Sequence, residues 1–331
     1  MKRVVKLEGK GNIAIEEIEV PGFGKDEVLV KVHSSLISRG SELFARYVMP
    51  GPVDPERMGY SDAGVVAAVG EAVRDILIGD RVVAVAPHAE YVIRPAGTPD
   101  AWIIPLPTER DAGRMPALPE ISFEEATFLP LLTSSVAWAQ SACIQEGDTV
   151  AILGQGLVGN LVMQVSKDYK PGRVITIDAL DLRCELSKGL GADVVINCSK
   201  EDPVRAVRDL TDGRGTDVVM ECVGGDAGVK SFQQAQDMVR TGGTIHLISL
   251  YQGGPLPLDS GKIMNKRLLA GILISEPRSI LAKRAIEHLL DGSVRVKEMI
   301  THRFPLAEAK KAFDLLYKHP EEALGVVFEY E

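Results

Sequence analysis

One short segment constrains the fold more than any other. Gly154-Gln155-Gly156-Leu157-Val158-Gly159 stands between the apolar run 150–153 and an amphipathic stretch, and a second apolar run, 174–177, ends in Asp178, 19 residues beyond Gly159. A strand entering a helix through this turn needs each glycine for a different reason. The first permits the tight turn, the second lets a ligand approach the backbone, and the third lets helix and strand pack closely. The helix start then offers unpaired N–H groups and the positive end of a dipole to a pyrophosphate. A carboxylate about 20 residues on accepts from the 2′-hydroxyl of an adenosine ribose and repels a 2′-phosphate. The segment therefore predicts a nicotinamide dinucleotide site, with NAD favoured over NADP. Arg183 lies near enough to meet the same ribose or a phosphate. The competing reading is a glycine turn without a ligand, with Asp178 capping the next helix.

The surrounding rhythm agrees with the motif. From residue 149 onward, apolar runs at 150–153, 174–177, 194–196, 218–220, 244–249 and 268–274 alternate with helix-like stretches such as 204–210 and 229–239. Unbroken β-branched runs suit strands buried on both faces, and the alternation predicts a doubly wound parallel sheet. The first 120 residues read differently. Segments 26–32, 64–70 and 80–86 look like strands set off by glycine and turn residues, with no long amphipathic helix, which predicts a β-rich, partly closed barrel. Residues 97–119, rich in proline, read as a surface loop. Ser122 and Glu125 form a capping-box pattern. Residues 279–290 and 306–318 read as amphipathic helices, and 325–330 as a final strand.

A chain of 331 residues suits two domains. No apolar run approaches the ~18 residues of a membrane span, and the first residues carry no signal-peptide pattern, so a cytoplasmic location is expected. The net charge of −9 without a basic stripe argues against nucleic acid. Cys143, Cys184, Cys198 and Cys222 contain no metal-type pair, and disulfides are not expected.

The pieces DEVLVKV (26–32), GYSDAGVV (59–66), GDRV (79–82), AEYV (89–92), GDTVAILGQGLVG (147–159), GAD (191–193), Gly242-Gly243 and HRFPLAEA (302–309) stand in an order that resembles the medium-chain dehydrogenase/reductase family over nearly the whole chain. The resemblance implies a Rossmann domain at 126–274 inserted into a GroES-like catalytic barrel built from 1–125 and 275–331. It also implies that substrate and nicotinamide meet in the cleft, and that the chain forms a homodimer through the Rossmann sheet edge. Zinc-dependent relatives hold a catalytic zinc with Cys, His and Cys. Those places fall here on Ser38 (or Arg39, counting back from Glu42), Tyr60 and Leu129, and the four-cysteine structural lobe is missing. Neither a catalytic nor a structural zinc is expected, because hydroxyl, phenol and alkyl groups are poor zinc ligands. His33, His88 and Glu42 are the residues from which another metal site could be built, against an ordinary packing role.

Without a metal, the charge that builds on a carbonyl oxygen needs a hydrogen-bond donor. Carried over by position, Tyr60 would be the general acid and base, Arg39 a fixed positive charge, and Ser38 a positioning group, with Ser41 and Glu42 nearby. A Tyr60 packed on the sheet and an Arg39–Glu42 ion pair are the structural alternatives. Thr133 matches a place beside the nicotinamide. Cys222-Val223-Gly224 and Leu247-Ile248-Ser249 fall at strand ends over the cofactor crevice, Cys222 being read as a packing residue and not a nucleophile. The expected activity is zinc-independent, NAD(H)-dependent hydride transfer to or from a hydroxyl or ketone of a polar small molecule, sugar-like or cyclitol-like. The alternatives are an NADPH-dependent quinone or enoyl reductase and a dinucleotide-binding protein without turnover.

Overall fold

The structure is a computed structural model that describes residues 1–97, 103–107, 120–250, 254–274 and 276–331. The chain divides into two compact units. One joins Met1–Thr133 to Glu276–Glu331, and the other is Ser134–Ser275.

The first unit opens with an antiparallel pair, β1 (Lys2–Lys6) and β2 (Ile13–Glu17). Strand β3 (Glu27–Leu36) follows, with Val28, Val30 and Val32 buried on alternate positions, the period-two pattern of a half-buried strand. After it the chain winds into a π-helix, Arg39–Tyr47, whose wide turn shows in the bond from Val48 N–H back five residues to the Leu43 carbonyl, 3.2 Å. Then come β4 (Ser61–Val69), β5 (Arg81–Ala84), β6 (Tyr91–Pro95) and β7 (Ile103–Pro105). Helix α1 (Phe123–Ala126) carries the expected capping box between Ser122 and Glu125. Helix α2 (Leu129–Ser141) runs across the division between the units.

The second unit alternates strand and helix: β8 (Thr149–Leu153), α3 (Leu157–Ser166), β9 (Arg173–Asp178), α4 (Asp181–Gly189), β10 (Val194–Asn197), α5 (Pro203–Leu210), β11 (Thr216–Glu221), α6 (Ala227–Met238), β12 (Val239–Leu247), α7 (Ser260–Ile263) and β13 (Arg267–Ala270). Its six strands are parallel, in the order β10-β9-β8-β11-β12-β13. The connection reverses direction beside β8, so the ends of β8 and its neighbours flank a switch point, where ligands of such sheets bind. Ala151, Ile175, Val219, Ile245 and Phe232 lie in one buried cluster between sheet and helices.

The chain then returns to the first unit with α8 (Arg278–Leu290), β14 (Ile300–Pro305), α9 (Ala309–Lys318) and β15 (Gly325–Glu329). The larger sheet of this unit runs β14-β15-β3-β4-β5-β7, with β6 also paired to β3. The last strand thus pairs with one of the first, Phe328 opposite Ser35. Phe313 of α9, fully buried, packs with Ile37, Leu43, Tyr47 and Phe328.

Three expectations need correction. The first 120 residues do contain a helix, the π-helix 39–47, which buries Leu43 and Tyr47 four residues apart. Residues 97–119 are not all loop: β7 pairs with β5, Ile104 opposite Val83, because its two isoleucines suit a buried strand. Most of the rest of that stretch lies outside the described residues. The last parallel strand stops at Ala270, not Ile274, because Gly271 turns away with φ +75°.

Candidate functional site

In the second unit the glycine turn is built as the motif requires. Gly154 has φ +83°, a conformation L side chains rarely adopt. A Cβ on Gly159 would stand 1.8 Å from the Gly154 carbonyl oxygen, so α3 can approach the turn only with glycine there. A Cβ on Gly156 would meet nothing within 4 Å. That glycine keeps open the space where a ligand would touch the backbone. Gly156 is also the N-cap of α3 and makes no side-chain cap, which leaves the helix start open to an anion. Leu157 is buried, while Val158 is partly exposed. Gln155 is buried and donates to the Ile152 and Gly154 carbonyls, bracing the turn from inside.

Asp178 closes β9 beside this turn. One carboxylate oxygen, Oδ2, accepts the Gln155 N–H at 2.7 Å, and the other accepts the Leu180 N–H at 3.0 Å. Each oxygen retains a lone pair for a ribose hydroxyl. Asp178 makes no side-chain cap for α4, whose N-cap is Leu180; its second bond forms a local turn instead. Arg183 of α4 brings Nη1 to 3.8 Å from Asp178 Oδ2, while its Nε and Nη2 are buried without a hydrogen-bond partner. Burial pulls the Arg183 guanidinium below its ordinary range, against the opposing pull of Asp178. The residues present fit a dinucleotide: an open helix start, a bare backbone cradle and a carboxylate beside it.

The carboxyl ends of β11 and β12 continue the same edge. Glu221, fully buried, ends β11 and accepts the Val223 N–H through Oε1 at 2.9 Å and the Ser249 hydroxyl through Oε2. Its backbone carbonyl accepts the N–H groups of Ile248 and Ser249. Burial raises the Glu221 carboxyl, and the bond from Ser249 opposes that rise. Cys222 is only partly covered as a residue, yet burial and the neighbouring Glu221 push its thiol well above the usual range. That is the opposite of an activated nucleophile. Val223 touches the glycine turn: a Cβ on Gly154 would meet Val223 Cγ2 at 2.8 Å. Leu247, Ile248 and Ser249 follow β12, and Gly224 follows Val223. The sequence reading passed over Glu221 itself. The signal was there: a carboxylate directly after the apolar run Val218-Val219-Met220.

In the first unit the structure brings Ser38, Arg39 and Tyr60 to one end of a strand pair. Leu36 pairs with Ser61, so the residues after β3 and before β4 leave the ladder together. Arg46 of the π-helix donates to the Gly59 carbonyl at 2.9 Å, tying the helix to the segment that carries Tyr60. Ser38 is buried, its N–H bonded to Glu42 Oε1 at 2.7 Å, and Arg39 lies over the Phe44 ring. The Glu42 carboxylate turns inward, to the Ser38 N–H and the His88 ring. Thr133 is buried in α2 and donates its hydroxyl to the Leu129 carbonyl at 2.7 Å.

Beneath Ser38 runs a buried polar chain. Glu42 Oε2 meets His88 Nε2 at 2.9 Å, His88 Nδ1 meets the Ser35 hydroxyl at 2.8 Å, and Ser35 meets the Tyr330 hydroxyl at 2.8 Å. With Glu42 as a carboxylate, His88 donates from Nε2 and accepts at Nδ1. Both carboxylate oxygens and both ring nitrogens are therefore engaged. His33 is elsewhere, stacked on Phe123 at 4.6 Å. The substitute metal site considered from His33, His88 and Glu42 does not assemble, because each ring is committed to packing or to the polar chain. Among the described residues, the one group of three with metal-ligand spacing is His319, Glu321 and Glu322, all exposed. At the places matching the catalytic zinc ligands of the family stand the Ser38 hydroxyl, the Tyr60 phenol and the buried Leu129 side chain, a donor set that does not fit zinc.

A family profile described as "Zinc-binding dehydrogenase" matches residues 158–289, a span that contains none of positions 38, 60 and 129. Sorbitol dehydrogenase of Bacillus subtilis is 28% identical over 95% of this chain and 93% of its own. L-threonine 3-dehydrogenase of Bacillus velezensis is 28% identical over 96% of both chains. Among solved structures, alcohol dehydrogenase TADH from Thermus sp. ATN1 superposes with a TM-score of 0.79 at 26% identity, covering 100% of both chains. The glycine turn, the parallel sheet, the returning C-terminal strand and these likenesses agree: the chain is similar to the alcohol-dehydrogenase-like branch of the medium-chain dehydrogenase/reductase family.

Proposed function

We propose that this dehydrogenase uses NAD(H) and works without zinc on a hydroxyl or ketone of a polar small molecule. The observation that carries the reading is the bond from Gln155 N–H to Asp178 Oδ2, which couples the phosphate turn to a carboxylate suited to a free ribose 2′-hydroxyl. The polar substrate class is supported by the relatives named for sorbitol and threonine. Zinc independence is supported by the donor chemistry at Ser38, Tyr60 and Leu129. The bound nicotinamide supplies or accepts the hydride. The chain's own groups do the rest: Gly154–Gly159 receives the pyrophosphate, Asp178 with Arg183 takes the adenosine ribose, and Thr133, 222–224 and 247–249 line the nicotinamide half. Tyr60 passes the proton to or from the substrate oxygen, Arg39 supplies fixed positive charge, and Ser38 orients the substrate.

Arg183 favours a second reading. Its buried Nε and Nη2 have no partner and would suit a 2′-phosphate, hence NADP(H) and the quinone or enoyl reductase alternative. Calorimetric titration with NADH and NADPH decides between them. We expect tighter NADH binding, and loss of binding in Gly156→Ala with an unchanged melting temperature, since that methyl meets only open space. A parent protein that binds neither nucleotide refutes the reading and leaves a protein without this chemistry. Turnover with a panel of polyols and ketones should survive chelators. A Tyr60→Phe variant should keep its NADH affinity and lose about 10²–10⁴ in turnover. Equal turnover in that variant removes Tyr60 from the chemistry.

A homodimer belongs to the same proposal. Strand β13 ends the parallel sheet, and Leu268, Ile272 and Leu273 are exposed along and beyond it, an apolar edge suited to a second copy. Among the described residues no helix is long and apolar enough to cross a membrane.

A further inference from the structure

The order of the parallel strands fixes which half of a dinucleotide meets which strand. The glycine turn after β8 takes the pyrophosphate, and Asp178 after β9, on one side, takes the adenosine ribose. The nicotinamide half then falls on the other side, over the ends of β11 and β12. The two loops there come from different strands, and one carboxylate joins them. Glu221 Oε1 accepts the Val223 N–H of the first loop, and Oε2 accepts the Ser249 hydroxyl of the second, while the Glu221 carbonyl accepts the N–H groups of Ile248 and Ser249. A fully buried carboxylate is costly unless its oxygens are hydrogen-bonded. An apolar residue at this strand end would satisfy the sheet equally well.

We propose that Glu221 is a positioning residue for the nicotinamide half of the cofactor, acting through Ser249 and Val223, and that it touches neither cofactor nor substrate. The inference rests on the dinucleotide reading above. With its carboxylate in place, both loops hold one geometry before the cofactor arrives, and binding does not have to order them. The adenosine half makes no use of this latch, because Asp178 and Gly156 are fixed by their own bonds.

The experiment compares NADH with ADP-ribose, which lacks the nicotinamide, by calorimetry on the intact protein. The variants are Ser249→Ala, Glu221→Gln and the two together. Ser249→Ala removes one partly exposed hydroxyl and keeps the fold available if the buried substitution does not. It should weaken NADH about tenfold and leave ADP-ribose within about twofold. Because both residues act through one bond, the double variant should bind NADH no more weakly than Glu221→Gln alone. Parallel loss of NADH and ADP-ribose, additive losses in the double variant, or unchanged NADH affinity in Ser249→Ala each overturn the proposal. A parent protein that binds neither ligand overturns the dinucleotide reading instead, so the two failures are distinct.

Discussion

Asp62 sits in β4 opposite Ser35 with both carboxyl oxygens buried and without a hydrogen-bond partner. Burial raises its pKa well above the ordinary carboxylate range; Arg94 pulls it down and Glu42 pushes it up. Tyr330, raised by burial and by Asp62, faces the same group. The sign of the stability effect follows from linkage. A carboxyl whose folded pKa is raised stabilises the fold below its unfolded value of about 3.9, and that contribution is lost as pH rises toward the folded value. Asp62→Asn carries no such titration. In denaturant titrations the variant should therefore gain on the parent by about 1.4 kcal/mol per pH unit above pH ~4, up to the folded pKa of Asp62. A difference that stays flat from pH 4 to pH 7 contradicts a neutral buried Asp62. The sequence quoted Asp62 as part of a family motif and could not show this, because burial is a property of what packs against the strand. Asp178 was legible for the opposite reason. Its spacing from Gly159 is itself the constraint, and the structure adds only which N–H groups hold it.

At the level of elements, legibility followed periodicity. Strands β8, β9 and β11 appear within a residue or two of their apolar runs, because a strand buried on both faces must be apolar throughout. The 39–47 helix was missed because a π-turn has neither of the periods that a sequence scan looks for. Its trace was present as an ambiguity of one residue. Counting forward from β3 puts the lost zinc ligand at Ser38, and counting back from Glu42 puts it at Arg39. A π-helix accommodates an extra residue per turn, and here it does so while keeping two anchors in place. Glu42 reaches back to the Ser38 N–H, and Tyr47 reaches Asp314 of α9 at 2.7 Å. The polar chain from Glu42 to Tyr330 was also invisible. Its members are separated by as many as 295 residues and meet only because β15 pairs with β3. The glycine turn and Asp178 of the second unit were thus readable from local spacing. The cluster beneath Ser38 in the first unit depends on long-range pairing.

The two units differ in how the chain builds them, and that difference is testable. The second, Ser134–Ser275, is continuous, and its buried cluster of Ala151, Ile175, Val219, Phe232 and Ile245 comes from within it. The first needs both ends of the chain. Without β15, strand β3 loses one of its two partners at Ser34, Ser35 and Leu36, keeping only β4; without α9 and β15, Leu43 and Tyr47 lose the fully buried Phe313 and Phe328. Removing two buried phenylalanines costs about 3–5 kcal/mol each. Together with the lost strand pairing, that is comparable to the entire 5–15 kcal/mol by which a domain is normally stable. A chain ended after Leu290 should therefore lose amide protection in β3 and β4 while retaining it in β8 and β11, as read by hydrogen exchange at low concentration, where the opened β3 edge has few partners for aggregation. Its affinity for ADP-ribose should stay within about threefold of the parent, because Gly156 and Asp178 and their bonds lie wholly inside the continuous unit, and saturating ligand at about 100 times Kd should stabilise that unit by about 2.7 kcal/mol. If ADP-ribose binding disappears along with protection in β8, the second unit is not self-sufficient. If β3 and β4 remain protected, the C-terminal return is not what completes the first.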